Sequence, residues 1–270
     1  MNITLLYLAF NWFVILFSIA LTIFDSRFYV ITFFVIASRQ FAIYLIGHEG
    51  IHNLILNKKS KNDFVAKYLC LFPVMVSLEM YRQNHLAHHK FLGTVIDPDK
   101  SLYNFYPLTK SEFFIKLAKE FFTLKMLADF LAYFTPFYLI YRAKRLSKIL
   151  EEDFLSYTVF VIAMWAFFWS IGWGGYFLKF WIFPLLLMIP YYYFVSALQH
   201  GLVYERDFPA SSRNIISNDF VVEFFLPCRT NYHGVHHEFP GVPFYKLEGY
   251  LNDKQLNTKG MLNAIRQLVK

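Results

Sequence analysis

Residues 28–52 read FYVITFFVIASRQFAIYLIGHEGIH, an apolar run that ends in two histidines four residues apart. A helix needs roughly 20 residues to cross a hydrocarbon core of about 30 Å, and residues 28–47 supply them. At about 1.5 Å per residue, a helix continued to Asn57 reaches about 45 Å, so His48 and His52 are expected to emerge at the membrane boundary. Their separation of four residues places both rings on one face of that helix.

Three further stretches have the length and the apolar character of membrane spans. The chain is 57% hydrophobic and 17% charged over its 270 residues, which lies outside the usual range of soluble proteins. This pattern predicts an all-α fold, an integral membrane four-helix bundle with a cytoplasmic helical cap, organised as a single domain over residues 1–270. The predicted spans are residues 3–24, 28–47, 154–173 and 180–198, and the predicted cap comprises residues 57–153 and 201–270.

The distribution of basic residues predicts the orientation in the membrane. With four spans, Arg27 and Lys179 fall on one side and Arg39 falls within a span, whereas the remaining Lys and Arg residues of the 26 in the chain fall on the opposite side. By the positive-inside rule that opposite side is the cytoplasm, so both termini and all histidines are expected there, with a bacterial inner membrane as the expected location. The basic residues are spread over many loops, so no nucleic-acid partner is expected.

Two polar residues, Arg39 and Gln40, lie within the second predicted span. Polar side chains are uncommon in lipid, and when present they line a functional cavity or form a polar contact between helices. We favour the helix contact for both residues.

The nine histidines of the chain fall into four places, and the even number of spans brings all four to one face of the membrane. Imidazole suits Zn, Cu, Fe and Ni, and a single tetrahedral ion takes at most four ligands, so nine candidates imply at least two ions. Two redox ions at the edge of a lipid-embedded bundle suggest oxygen activation on an apolar substrate. The candidate ligands are His48, His52, His85, His88, His89, His200, His233, His236 and His237.

The first pair also matches a different motif, because His48-Glu49-Gly50-Ile51-His52 reads as HExxH. In that motif two histidines bind zinc and the glutamate activates water, so a membrane zinc protease is a rival hypothesis. A protease of this kind needs one further ligand and leaves most of the other histidines unexplained. A transporter is disfavoured, because its ligands are expected near the middle of the membrane.

The sequence resembles the membrane fatty acid desaturase and hydroxylase superfamily, which is marked by three histidine boxes. Here the boxes are HEGIH at 48–52, HLAHH at 85–89 and HGVHH at 233–237. The flanking residues are similar to those of the bacterial and front-end acyl-lipid desaturase branch. The flanks comprise Tyr81-Arg82, Gly93, Asp97-Pro98-Asp99, Tyr232 and Phe239-Pro240-Gly241-Val242-Pro243.

This resemblance implies an O2-dependent, non-haem di-iron desaturase that introduces a double bond into a long acyl chain of a lipid or an acyl thioester. It also implies that the eight box histidines hold two irons, with His200 similar to the extra ligand that members carry at the end of the last span. No segment resembles a fused cytochrome b5 domain, so electrons are expected from a separate ferredoxin or cytochrome b5-like protein. A di-iron hydroxylase and a carotenoid ketolase are alternatives on the same scaffold.

The sequence departs from the acyl-CoA desaturase branch at two points. That branch has HxxxxH as its first box and an Asn one turn before the extra histidine, whereas this chain has HxxxH and Ser196. Polar residues near the boxes are expected to accept the distal imidazole N–H, although Asp97-Pro98-Asp99 also reads as a simple turn. The candidates are Glu49, Asn84, Asp97, Asp99, Asn231 and Glu238.

Overall fold

The computed structural model of the chain describes residues 2–103, 108–122, 148–201, 212–251 and 258–269. Within these ranges the fold is almost wholly helical, which confirms the predicted all-α class. Four helical stretches are long and apolar enough to cross a membrane, and each overlaps a predicted span. They are Ile3–Phe24, Ser26–Ile51, Glu152–Ser170 and Gly174–His200.

The first two spans are α1 (Ile3–Phe24) and α2 (Tyr29–Ile51), joined by a single 3-10 turn at Ser26–Phe28. The Asn2 side chain accepts a hydrogen bond of 3.0 Å from the Leu5 N–H, which satisfies one of the free donors at the start of α1. The first predicted span, residues 3–24, has the same bounds as α1.

Polar side chains join α1 and α2 on their buried faces. Thr22 Oγ1 donates to Thr32 Oγ1 over 2.7 Å, and Arg39 Nη1 donates to Asn11 Oδ1 over 3.2 Å. The outward face of α1 is apolar, and Phe13 is 62% exposed. This arrangement suits lipid, where interhelical hydrogen bonds hold helices together. Arg39 thus forms the polar helix contact that the sequence favoured.

After α2 the chain forms shorter helices. The carboxylate of the buried Asp153 accepts from the Ser77 hydroxyl at 2.6 Å and from the Glu79 N–H at 3.0 Å, and these bonds fix the start of α4. Lys67 Nζ lies 2.6 Å from the same carboxylate and neutralises its charge. The elements are α3 (Lys59–Val65), a π-helical turn (Ala66–Leu71), α4 (Leu78–Phe91), α5 (Lys100–Tyr103) and α6 (Lys110–Phe122).

The third and fourth spans differ from the prediction at their connection, which is shorter than expected. Gly172 has φ +77°, a left-handed conformation that favours glycine and ends the third span before residue 173. A Cβ on Gly174 would come within 2.5 Å of the Trp169 ring, so the lack of a side chain lets the next helix begin there rather than at residue 180. The elements are α7 (Lys148–Ser170), α8 (Gly174–Phe177), a π-helical turn (Leu178–Ile182) and α9 (Phe183–His200).

Gln40 makes the second polar contact of α2. Its Nε2 donates to the carbonyl of Trp181 over 2.9 Å, within the π-helical turn that precedes α9. A π-helical turn displaces carbonyls from the regular ladder, and Gln40 supplies a donor to one of them. This residue also forms the helix contact that we favoured.

The remaining described elements lie beyond His200, and two of them are strands that the helical cap prediction did not include. Strand β1 pairs in parallel with β2, so that Asn214 faces Thr258 and Ile216 faces Gly260. Three-residue strands are too short to show the period-two alternation by which strands are recognised. The elements are β1 (Asn214–Ile216), α10 (Asp219–Phe225), a 3-10 turn (Thr230–Tyr232), α11 (His233–Glu238), a 3-10 turn (Phe244–Tyr250), β2 (Thr258–Gly260) and α12 (Met261–Leu268).

The chain divides into two compact units, and the divisions fall within α4, before the last residue of α6 and within α9. The first unit comprises Met1–Arg82 and Phe122–Met188, and the second comprises Gln83–Phe121 and Ile189–Lys270. The single-domain organisation stays a prediction.

Candidate metal centre

Seven of the nine histidines lie in the second compact unit, on three helices, and the other two lie in the first unit at the end of α2. In the second unit, α4 and α11 each carry a box with the spacing i, i+3, i+4, and His200 is the last residue of α9. The helical spacing brings the rings of each box to one face, as the sequence predicts. The seven residues are His85, His88, His89, His200, His233, His236 and His237.

Four of these residues form one cluster, which we call the second histidine group: His88, His200, His233 and His237. One ring nitrogen from each lies within 4.8 Å of one from every other member. The Nε2 atom of His233 lies 2.8 Å from Nε2 of His200 and 3.0 Å from Nε2 of His237. Three helices therefore deliver four imidazoles to a single point.

The other three residues of the second unit form the first histidine group: His85, His89 and His236. The Nε2 atom of His89 lies 2.8 Å from Nε2 of His85 and 3.1 Å from Nε2 of His236. This group repeats the arrangement of the second group, with one central nitrogen and two nitrogens close to it.

These distances fit metal ligands better than hydrogen bonds between rings. A neutral imidazole nitrogen carries either one proton or one lone pair, so a central nitrogen with two close nitrogens can form only one good hydrogen bond. Two nitrogens that bind one ion, with metal–nitrogen bonds of about 2.1 Å, are at most about 4 Å apart, so these short nitrogen–nitrogen distances are compatible with a shared ion. A shared ion accounts for every short distance in each group.

Burial keeps the His237 imidazole in the neutral state that can bind a metal ion. His85, His88, His200, His236 and His237 are all buried. Burial, together with the neighbouring imidazoles, lowers the pKa of His237 well below its ordinary value. The ring is therefore neutral near pH 7, and its lone pair is available for an ion.

Asp97 fixes the orientation of one histidine of the second histidine group. Its Oδ1 lies 2.8 Å from Nδ1 of His88. Burial acts to raise the pKa of Asp97, but the bonds to His88, Tyr103 and the Asp99 N–H outweigh it and hold the pKa at about 2. Because the ionised carboxylate can only accept, Nδ1 of His88 carries the proton and Nε2 carries the lone pair. Carboxylates commonly orient metal-binding histidines in this way.

Tyr103 extends this contact to a second histidine of the same group. Its hydroxyl donates to Asp97 Oδ2, and its ring centroid lies 5.0 Å from that of His200. Burial and the Asp97 carboxylate raise the pKa of Tyr103, so the hydroxyl keeps its proton and remains a donor. One aromatic residue therefore supports the Asp97 carboxylate and packs against the His200 ring.

The first box lies in the first compact unit. His48 lies in the last turn of α2 and His52 caps that helix, with their ring centroids 5.0 Å apart. Burial and the charge of Arg82 lower the pKa of His52 to about 4, so this ring is also neutral near pH 7. The buried Asn62 donates to the carbonyl of Gly50 over 2.8 Å and so holds the chain between the two histidines.

Of the polar residues that were expected to bind a histidine ring, some make that contact and others bind elsewhere. Asp97 makes the predicted contact with a ring nitrogen. Asp99 Oδ2 is 3.9 Å from Nδ1 of His88, and its Oδ1 accepts from Asn84 Nδ2 over 2.9 Å instead. Asn231 Nδ2 donates to the carbonyl of Ile215 over 3.1 Å, so its amide group holds the backbone of β1.

Two residues near the histidines were missed by the sequence analysis, namely Tyr103 and Asn214. Tyr103 follows Asp97-Pro98-Asp99 by four residues, and its spacing from Asp97 was the available signal. Asn214 lies 21 residues before Val235, whose N–H it binds, and no local pattern links the two positions.

Comparison with known proteins gives a consistent result. The sequence model of the family described as fatty acid desaturase matches residues 25–250. A protein from Nostoc sp. named sn-1 acyl-lipid omega-3 desaturase (ferredoxin) is 28% identical over 247 residues, and a Synechocystis sp. protein of the same name is 25% identical over 247 residues. Each match covers 83% of this chain and 66% of the relative, so the chain spans just under two thirds of the length of these relatives.

Proposed function

This chain belongs to the fatty acid desaturase family, and from that premise we propose that it is an oxidoreductase that introduces a double bond into a long acyl chain, held as a lipid or as an acyl thioester. The observation that carries the proposal is the pair of histidine groups, each with a central nitrogen about 3 Å from two others. Such groups fit two ions.

We assign the metal ligands as follows. The second histidine group holds one iron through four imidazoles, and the first group holds the other. We propose that His48 and His52 are further iron ligands, because they lie together at one helix end and the His52 ring is neutral near pH 7. When bound, the two irons supply the redox chemistry by which O2 accepts hydrogen from an unactivated chain.

The overall reaction balances with an external reductant. Two C–H bonds on neighbouring carbons break and a C=C bond forms. O2 takes up the two hydrogens together with two electrons and two protons from the donor, and two waters result. The names of both relatives include the word ferredoxin, so we propose a ferredoxin as the electron donor rather than a cytochrome b5-like protein.

The residues of this chain do the positioning in this reaction. The buried rings of His88, His200 and His237 exclude water from the second group, and exclusion of water strengthens every electrostatic contact inside a site. Asp97 accepts a hydrogen bond from the Nδ1–H of His88 and keeps that ring in one tautomer. A substrate methylene pair held at such a rigid centre gains the rate advantage of orientation.

The test of this function is product analysis. The chain is expressed with a ferredoxin and its reductase, and mass spectrometry compares the fatty acids and pigments of the host with those of a His236→Ala control. We expect an acyl chain that has lost two hydrogens, absent from the control. An added oxygen without a new double bond contradicts the proposal and identifies a hydroxylase or a ketolase.

We further propose that the protein is a multi-pass protein of a bacterial inner membrane, with the histidines and both termini in the cytoplasm. The chain offers a matched pair of positions for a test, since neither Gly175 nor Gly249 has an atom within 4 Å of an added Cβ. Cys70 and Cys228 are buried and give little background. An impermeant thiol reagent applied to intact cells is expected to label Gly175→Cys and not Gly249→Cys, and the reverse pattern overturns the orientation.

A further inference from the structure

Strand β1 lies directly against the short helix that carries the third box. Asn214 is fully buried, and its Oδ1 accepts a hydrogen bond of 3.1 Å from the N–H of Val235, the third residue of α11. A Cβ on Gly234 would lie 3.1 Å from both polar atoms of the Asn214 amide. The amide therefore packs tightly against the first turn of α11.

Helix α11 needs this contact because it does not cap itself. It has six residues, and Tyr232 at its N-cap position makes no side-chain hydrogen bond to the helix. The N–H of the third helical residue is a donor that an N-cap side chain normally satisfies. Asn214 supplies that acceptor from a different element, so a helix too short to be stable alone is held by β1.

The residue just before this strand is hydrogen-bonded to the end of α9. The N–H of Arg213 donates to the carbonyl of Gln199 over 2.9 Å, and Gln199 Nε2 donates to the carbonyl of Thr230 over 2.7 Å. Gln199 immediately precedes His200, and Thr230 opens the turn that leads into α11. Together with the bond from Val235 to Asn214, these two bonds link the end of α9, the start of β1 and the first turn of α11.

We propose that Asn214 is a positioning residue for the second histidine group, a role that rests on the proposed metal-dependent function. By capping α11 from β1, it holds Nε2 of His233 at 2.8 Å from Nε2 of His200 and 3.0 Å from Nε2 of His237. His233 is the first residue of α11, so it is the ligand that loses its place when the first turn frays. The first histidine group draws two of its three ligands from α4 and depends less on Asn214.

The test measures metal binding by the full chain in detergent, titrated with Co2+ and followed by the visible absorption of the bound ion. The wild type is expected to bind two ions. Asn214→Ala is expected to weaken one of the two binding steps by about 10 to 100-fold, the usual effect of losing a partner that orients a ligand, and to leave the other step unchanged. Asn214→Asp keeps an oxygen acceptor and is expected to restore both steps.

Asn218→Ala is the matched control. Asn218 caps α10 by accepting from the Val221 N–H over 2.9 Å, and α10 carries no histidine. Loss of this cap is expected to leave both binding steps and the absorption of the bound ion unchanged. An equal weakening in Asn214→Ala and Asn218→Ala overturns the proposal, because the effect is then a general loss of stability.

A second variant keeps the proposal testable if Asn214→Ala does not fold. Gly234→Ala pushes a methyl group against the Asn214 amide and is expected to weaken the same binding step by a smaller factor. Where Asn214→Ala does not fold, Gly234→Ala alone decides, because two unchanged binding steps then overturn the inference. Where Asn214→Ala folds, the methyl group has room in the double variant, so Gly234→Ala is expected to add little, a coupling that a direct contact produces. Additive effects overturn the inference. A wild type that binds no metal overturns the proposed function instead.

Discussion

The two helices that carry the second and third boxes are held in place in different ways. Helix α4 has 14 residues, and its support reaches a ring directly, because Asp97 binds Nδ1 of His88. Helix α11 has six residues, and its support reaches the backbone, because Asn214 binds the N–H of Val235. A carboxylate orients one histidine of the longer helix, and an amide holds the backbone of the shorter one.

Helix length explains this difference. The cost of starting a helix makes short helices marginal, and each added residue contributes a further hydrogen bond. Helix α4 also has a local cap, since the hydroxyl of Ser77, the residue just before the helix, accepts from the Met80 N–H over 3.3 Å. The backbone of α4 is therefore stable without a further contact, and only the orientation of its histidine rings has to be fixed. For α11 the backbone itself has to be held in place by a contact from another element.

The largest effect is expected when a histidine of the second histidine group is replaced on either helix. His88→Ala on α4 and His237→Ala on α11 each leave three imidazoles in the second group, so each variant is expected to lose about half of its bound metal and all detectable desaturation. Metal analysis and product analysis check this result. If one variant keeps its metal, the two residues do not serve the same ion.

A smaller effect is expected from Asp97→Asn, which keeps the shape of the side chain and removes its charge. Nδ1 of His88 then loses its ionised acceptor, and metal affinity is expected to fall by about 10 to 100-fold. Asp99→Asn is the control, because the closest approach of Asp99 to Nδ1 of His88 is 3.9 Å, and it is expected to change affinity much less. Equal losses in the two variants point to the charge of the loop rather than to the hydrogen bond.

The smallest effect is expected from Tyr103→Phe. This change removes the hydroxyl that binds Asp97 and keeps the ring that packs against His200. A hydrogen bond contributes about 0.5 to 1.5 kcal/mol, so metal affinity is expected to fall by at most about tenfold. A loss as large as that of Asp97→Asn means that Tyr103 acts on the metal through more than this bond. Metal titration of the two variants side by side checks the order.

The parts of this molecule that could be predicted from the sequence are those with a repeating pattern. The four spans follow from uninterrupted apolar length, and the boxes at 85–89 and 233–237 lie on helices because their spacing is helical. The contact of Asp97 with His88 was expected because the two residues are close in the sequence. The HExxH reading of the first box as a protease is disfavoured by membership of the fatty acid desaturase family.

The parts that could not be predicted depend on contacts between distant positions. Strands β1 and β2 pair residues that are 44 positions apart, such as Asn214 and Thr258, and neither strand is long enough to alternate. Asn214 itself is an ordinary polar residue in the sequence, and only its burial against α11 gives it a role. The early start of the fourth span depends on Gly174 fitting against Trp169, which composition does not reveal.

The central claim is that the nine histidines hold two irons, and the most direct measurement is the metal content of the wild-type chain purified without added metal. Elemental analysis by mass spectrometry, with Mössbauer spectroscopy of 57Fe-grown protein, counts the irons and reports their environment. We expect about two irons per chain, both with nitrogen-rich ligands, because four imidazoles saturate one ion and nine require at least two. One tightly held zinc per chain and no iron contradicts the account.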